Sequence, residues 1–139
     1  FFSNNKNQFF SIDLETGSLN WENKVNSNVR PSVVGNYLFT VSLEGYLIVI
    51  EKKSGNIIKI TDIFKNFKKK KRDKIKPIGF VIGLKNIYLT TDNGRMLVID
   101  TKTGQTNSIL KIDNDKISRP FILNKDLFVI KDNAIIKLE

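Results

Sequence analysis

A chain of 139 residues is long enough for a well-packed domain, and 40% hydrophobic with 27% charged residues is the composition of a globular protein. Histidine and cysteine are both missing, which excludes disulfides, thiolate metal sites, cysteine nucleophiles and serine–histidine triads, and leaves side-chain catalysis to carboxylates, lysines and tyrosines. The net charge of +9 is local: eight basic residues and a single acid, Asp73, lie between Lys65 and Lys76, and the rest of the chain carries only +2.

In chain order, Phe1 to Ser3 reads as the end of a strand. Phe9 to Asp13 alternates apolar and polar residues, turns at Gly17 and returns through Leu19 to Trp21. Arg30-Pro31 then opens a longer unit, and Lys76-Pro77 and Arg119-Pro120 open two more. Proline fixes its own φ and lacks a donor, so it suits the first residue of a strand. Two short apolar runs follow each proline, separated by Gly35-Asn36, Lys85-Asn86 or Asn124-Lys125-Asp126, residues that tolerate the left-handed conformations of tight turns. A second turn comes at Glu44-Gly45, Asp92-Asn93-Gly94 and Asp132-Asn133, and a third strand leads out of it.

That third strand ends on an acid followed four positions later by glycine: Asp13 and Gly17, Glu51 and Gly55, Asp100 and Gly104. The glycines lie 38 and 49 residues apart. Repeats of this size cannot bury their own faces and must stack. The fold class predicted is all-β, a partial β-propeller of four-stranded antiparallel blades with little helix outside the lysine-rich stretch. The blades divide into the end of one blade at 1–27, a full blade at 28–64, a lysine-rich insertion at 65–76, a full blade at 77–113, and a last blade lacking its fourth strand at 114–139. Three to four blades leave an open ring whose end faces would normally meet neighbours, so association or poor solubility is expected of the isolated chain.

The segment IDLETGSLNW resembles the repeat of the PQQ-like β-propellers, in which an Asp-x-x-Thr-Gly-x-x-x-Trp stretch turns from the third to the fourth strand of a blade; Asp13, Thr16, Gly17 and Trp21 match it. Asp100, Thr103 and Gly104 match in a later copy, where Ser108 replaces tryptophan. In the middle copy Gly55 is kept, Glu51 and Ser54 are softened forms, and Lys59 replaces tryptophan. The residues themselves suit blade building: glycine permits positive φ, the acid and hydroxyl bond turn amides, and a tryptophan covers a neighbouring blade. The resemblance implies the C-terminal part of a larger, eight-bladed propeller, consistent with the abrupt Phe1-Phe2 start and the stop on a third strand.

Two functional classes share this repeat. Quinoprotein dehydrogenases bind pyrroloquinoline quinone and calcium, but their adjacent-cysteine pair is impossible here and no acidic cluster suggests a calcium cage. The BamB-type propellers are non-catalytic. Resemblance to them implies a scaffold at the periplasmic face of the outer membrane of a Gram-negative bacterium, with the barrel-assembly machinery and unfolded outer-membrane proteins as partners and no cofactor. A cytoplasmic docking propeller of the WD type is a further alternative, lacking its Gly-His and Trp-Asp marks.

The lysine-rich insertion, with Lys68, Lys69, Lys70, Lys71 and Arg72 in succession and Phe64 and Phe67 beside them, has several readings. A disordered, solvated loop is the simplest, since the excess of Lys over Arg is what an AT-rich genome produces. Contact with anionic lipid headgroups or an acidic protein comes next. Nucleic acid comes last, because no wide positive face accompanies the run.

Overall fold

The structure is a computed structural model that describes residues 1–138. It divides into two compact units, Phe1–Asp62 and Ile63–Glu139. In the first, β1 (Phe2–Ser3), β2 (Phe9–Ile12) and β3 (Leu19–Asn23) form a three-stranded sheet. The strands β4 (Ser32–Val34), β5 (Tyr37–Val41), β6 (Tyr46–Glu51) and β7 (Ile57–Asp62) form a four-stranded one. The second unit begins with one helical turn, α1 (Lys69–Arg72). It continues into a four-stranded sheet of β8 (Pro77–Ile82), β9 (Asn86–Thr91), β10 (Arg95–Asp100) and β11 (Thr106–Lys111), then a three-stranded sheet of β12 (Phe121–Leu123), β13 (Asp126–Lys131) and β14 (Ala134–Leu138). Every pairing is antiparallel between strands adjacent in sequence. The fold class is the all-β blade architecture predicted from the repeat.

The central strands carry the core. β6 and β10 bury their second, third and fifth residues alike, Leu47, Ile48 and Ile50 in one and Met96, Leu97 and Ile99 in the other. In the first unit Phe9, Trp21 and Val25 pack against Leu38, Ile48 and Ile50, so the core joins its two sheets. In the second unit Met96, Ile117 and Val129 form the centre, flanked by Tyr88, Ile112 and Leu127. Full burial of such an aliphatic side chain contributes about 1.5–3 kcal/mol. Two buried threonines on second strands tie connecting segments to the sheets: Thr40 shares a hydrogen bond with Ser27 at 2.9 Å, and the Thr90 hydroxyl donates to the Ser118 carbonyl at 2.9 Å.

Pro77 is the first residue of β8, and Pro31 and Pro120 stand immediately before β4 and β12. The turn at Lys85-Asn86 departs from expectation. Neither residue has positive φ; the chain turns over Gly83 to Asn86, closed by the Gly83 amide donating to the Asn86 carbonyl at 2.8 Å. Asn124 and Lys125 do adopt positive φ, at 50° and 71°.

The insertion also differs from a structureless loop. Phe64 is fully buried with Phe67 edge-on to it at 5.3 Å, and Ile75 is buried at the far end. The amides of Lys71 and Arg72 donate to the Lys68 carbonyl, and Asp92 exchanges hydrogen bonds with Lys76. Two apolar anchors thus hold an ordered turn, and Phe64 is withdrawn from the surface contact that its place beside the lysines suggested.

Candidate functional site

Three corners recur where a third strand turns into a fourth. At the first, the Asp13 carboxylate accepts from the amides of Glu15 and Thr16 at 3.0 and 2.8 Å and from the Thr16 hydroxyl at 3.0 Å, while the Gly17 amide donates to the Asp13 carbonyl at 2.9 Å. Asp100 repeats this with Lys102, Thr103 and Gly104 at 2.9, 2.7, 3.1 and 2.9 Å. At the middle corner the Gly55 amide donates to the Glu51 carbonyl at 2.9 Å and the Ser54 hydroxyl bonds the Glu51 carboxylate. Gly17, Gly55 and Gly104 hold nearly the same φ, 72°, 78° and 73°. An irregular pair precedes each corner at the same place, between Ser11 and Ile12, Val49 and Ile50, and Val98 and Ile99. Each skips one residue on the opposite strand, a bulge that bends and twists the hairpin.

Two of the three corners are seats for another segment of the chain. The indole of Trp21, on β3, lies over Gly55: a Cβ added there would sit 2.6 Å from the ring. The Trp21 Nε1 donates to the Lys52 carbonyl at 3.0 Å, and the Asn23 side-chain amide donates to the Gly55 carbonyl at 2.6 Å. Phe9 stacks behind the indole at 6.2 Å. At the corner of the second unit a different segment takes this part. The Thr106 hydroxyl donates to the Ile63 carbonyl at 2.9 Å, Lys65 bonds Gln105, and Ile63, Phe64 and Gly104 are all buried. Gly17 differs: it is exposed, with nothing within 4 Å of an added Cβ.

Hydrogen bonds to the charged form, foremost the Thr16 amide at Asp13 and the Thr103 amide at Asp100, hold both carboxyls below their ordinary value of 3.8. The folded chain therefore releases protons that the unfolded chain retains near pH 4. The contribution of these corners is complete above the unfolded pKa and is lost as pH falls through the depressed folded value. Denaturant midpoints measured from pH 7 to pH 3 are expected to fall in this range, and the fall is expected to be shallower in Asp100→Asn. An equal slope in both proteins would refute the assignment.

In the second unit Asp113 and Lys131 pair at 2.6 Å. The lysine's hydrogen bond lowers the Asp113 pKa and the reciprocal bond raises that of Lys131, so this pair contributes between about pH 4 and pH 10 and fades beyond either limit. Lys131→Met is expected to lessen the Asp113 depression, read as an upward shift of its carboxyl titration by NMR, with the part owed to the Asn114 and Asp115 amides remaining.

Among the described residues no group of three or more His, Cys, Asp or Glu side chains could hold a metal ion, and no helix is long and apolar enough to cross a membrane. The first unit has an open groove of about 800 Å³ lined by Lys6, Lys24, Val25, Glu44, Tyr46 and Ile48 among others. Lys68, Lys69, Lys70 and Lys71 stand exposed around α1, with Arg72 half-buried. The residues singled out in the sequence thus lie at separate places: three strand corners with Trp21 seated on one, and one cationic turn. Asn23, the bulges and the Ile63–Phe64 seat carry no signal at the motif positions.

Residues 1–61 match the family described as outer membrane protein assembly factor BamB, which bears out the resemblance carried by Asp13, Thr16, Gly17 and Trp21. Among solved structures, BamB from Moraxella catarrhalis is 15% identical with a TM-score of 0.59, the match covering 92% of this chain and 42% of that one. Sqt1 from Saccharomyces cerevisiae is 14% identical with a TM-score of 0.75, covering 94% and 39%. The quinohemoprotein alcohol dehydrogenase ADHIIG from Pseudomonas putida HK5 is 19% identical with a TM-score of 0.56, covering 76% and 17%. This chain thus spans less than half the length of each of these proteins, and at such identities the likeness is one of fold. No curated protein matches the chain in sequence.

Proposed function

We propose that this chain, similar over residues 1–61 to the BamB family, is part of a non-catalytic interaction scaffold serving outer-membrane β-barrel assembly at the periplasmic face of the membrane. The family match over the first corner and its seated tryptophan is the observation that carries the reading. The side-chain inventory supports the non-catalytic part: without histidine or cysteine, the corner acids and hydroxyls are engaged in holding turns. Partners on this reading are subunits of the barrel-assembly machinery and unfolded outer-membrane proteins.

Crosslinking in envelope preparations, followed by capture of the tagged protein, is expected to enrich barrel-assembly subunits over other envelope proteins. Absence of enrichment would overturn the proposal. Titration with pyrroloquinoline quinone and Ca²⁺ separates it from the dehydrogenase reading, for which a saturable change in the quinone spectrum is the expected sign.

A further inference from the structure

We propose that the lysine turn at residues 68–71 is a docking point for an anionic phospholipid surface, an inference that goes beyond the scaffold reading and does not rest on it. The turn is built to display charge. Phe64, fully buried, and Ile75, 4% exposed, fasten its two ends, and Asp92 clasps Lys76 where the chain enters β8. Between these anchors Lys68, Lys69, Lys70 and Lys71 are all exposed, on a turn closed by the amides of Lys71 and Arg72. A free loop would spread these charges, whereas one helical turn holds them within about 6 Å along its axis. Phe67, half-buried against Phe64, places an aromatic ring at the foot of the turn.

Charge complementarity selects the partner. Within the stretch 65–76, Asp73 is the only acid, and Asp92 beside it is engaged by the Lys76 amide. Clusters of four or more cations at one point are the size that anionic headgroups attract, each lysine strengthening binding by roughly fivefold near such a surface. Nucleic acid fits less well. A protein that tracks a backbone spreads its cations over many phosphates, and outside this stretch the chain carries only +2.

The test is co-sedimentation of the 139-residue chain with phosphatidylcholine vesicles, with and without about three-tenths phosphatidylglycerol. Binding is expected only to the anionic vesicles, and it is expected to weaken as NaCl is raised. The variant carrying K68Q, K69Q, K70Q and K71Q is expected to lose at least a hundredfold in apparent affinity with its circular dichroism and thermal transition unchanged, since none of the four side chains is buried. The matching arginine variant, which keeps the charge, is expected to bind as the parent does. Equal binding to neutral vesicles, retained binding by the glutamine variant, or tighter binding to an oligonucleotide than to vesicles at equal phosphate would each overturn the proposal. None of these outcomes bears on capture of barrel-assembly subunits.

Discussion

Gly55→Ala is expected to destabilise the first unit by about 3 kcal/mol or more, and Gly17→Ala by only about 1 kcal/mol. Both glycines hold φ above 70°, so both substitutions carry the cost of a left-handed alanine, about 1–2 kcal/mol. The difference is the neighbour. An alanine methyl at Gly55 meets Cγ and Cδ2 of Trp21 at 2.6 Å, and the ring is held by its bond to the Lys52 carbonyl and by Phe9 behind it. At Gly17 the same methyl meets nothing. Trp21→Ala removes the ring itself and is expected to cost about 3–5 kcal/mol, as large aromatic truncations in cores do. Combined with Gly55→Ala it should cost less than the two added, because the clash vanishes with the indole. Urea unfolding of the four proteins reads these differences, and equal effects at Gly17 and Gly55 would contradict the seat.

Gly94→Ala is the second substitution expected to have a large effect, about 3 kcal/mol or more. Gly94 has φ of 70°, and a Cβ there would lie 2.5 Å from the Asp113 carbonyl oxygen and 2.6 Å from that of Asp115. These are backbone atoms with little freedom to withdraw. The amides of Ile112 and Asp113 both donate to the Gly94 carbonyl at 3.0 Å, and the Arg95 guanidinium donates to the Asp113 carbonyl at 2.7 Å. Displacing this segment also disturbs Ile117 in the core and the Asp113–Lys131 pair. Gly35→Ala is the control, with positive φ and nothing within 4 Å; it is expected to cost about 1 kcal/mol.

The blade pattern was legible because it rests on local chemistry. Strand alternation, an acid and hydroxyl that bond turn amides, and a glycine at positive φ each act within about six residues, so they leave a mark in the sequence. What lay hidden depends on partners far along the chain. The residue each bulge leaves unpaired, Asn20, Ile58 or Asn107, comes three positions after the glycine, so the acid-to-glycine spacing gives no sign of it. The seat over the second unit's corner shifted from the motif position, Lys59, to the segment of Ile63 and Phe64, four and five residues on, and a residue-by-residue match could not follow it. Phe64 looked like a surface companion of the lysines because adjacency in sequence says nothing about burial. Composition suggests left-handed character for the Lys85-Asn86 turn, but the turn runs from Gly83 to Asn86 and neither Lys85 nor Asn86 has positive φ.

The scaffold reading meets its most direct test in a binding titration. The purified protein, labelled away from the corners and the lysine turn, is titrated with the soluble periplasmic domains of the barrel-assembly machinery and followed by fluorescence anisotropy. The account predicts a saturable rise, with no change when pyrroloquinoline quinone and Ca²⁺ are added instead. A flat anisotropy trace together with saturable quinone binding would contradict it.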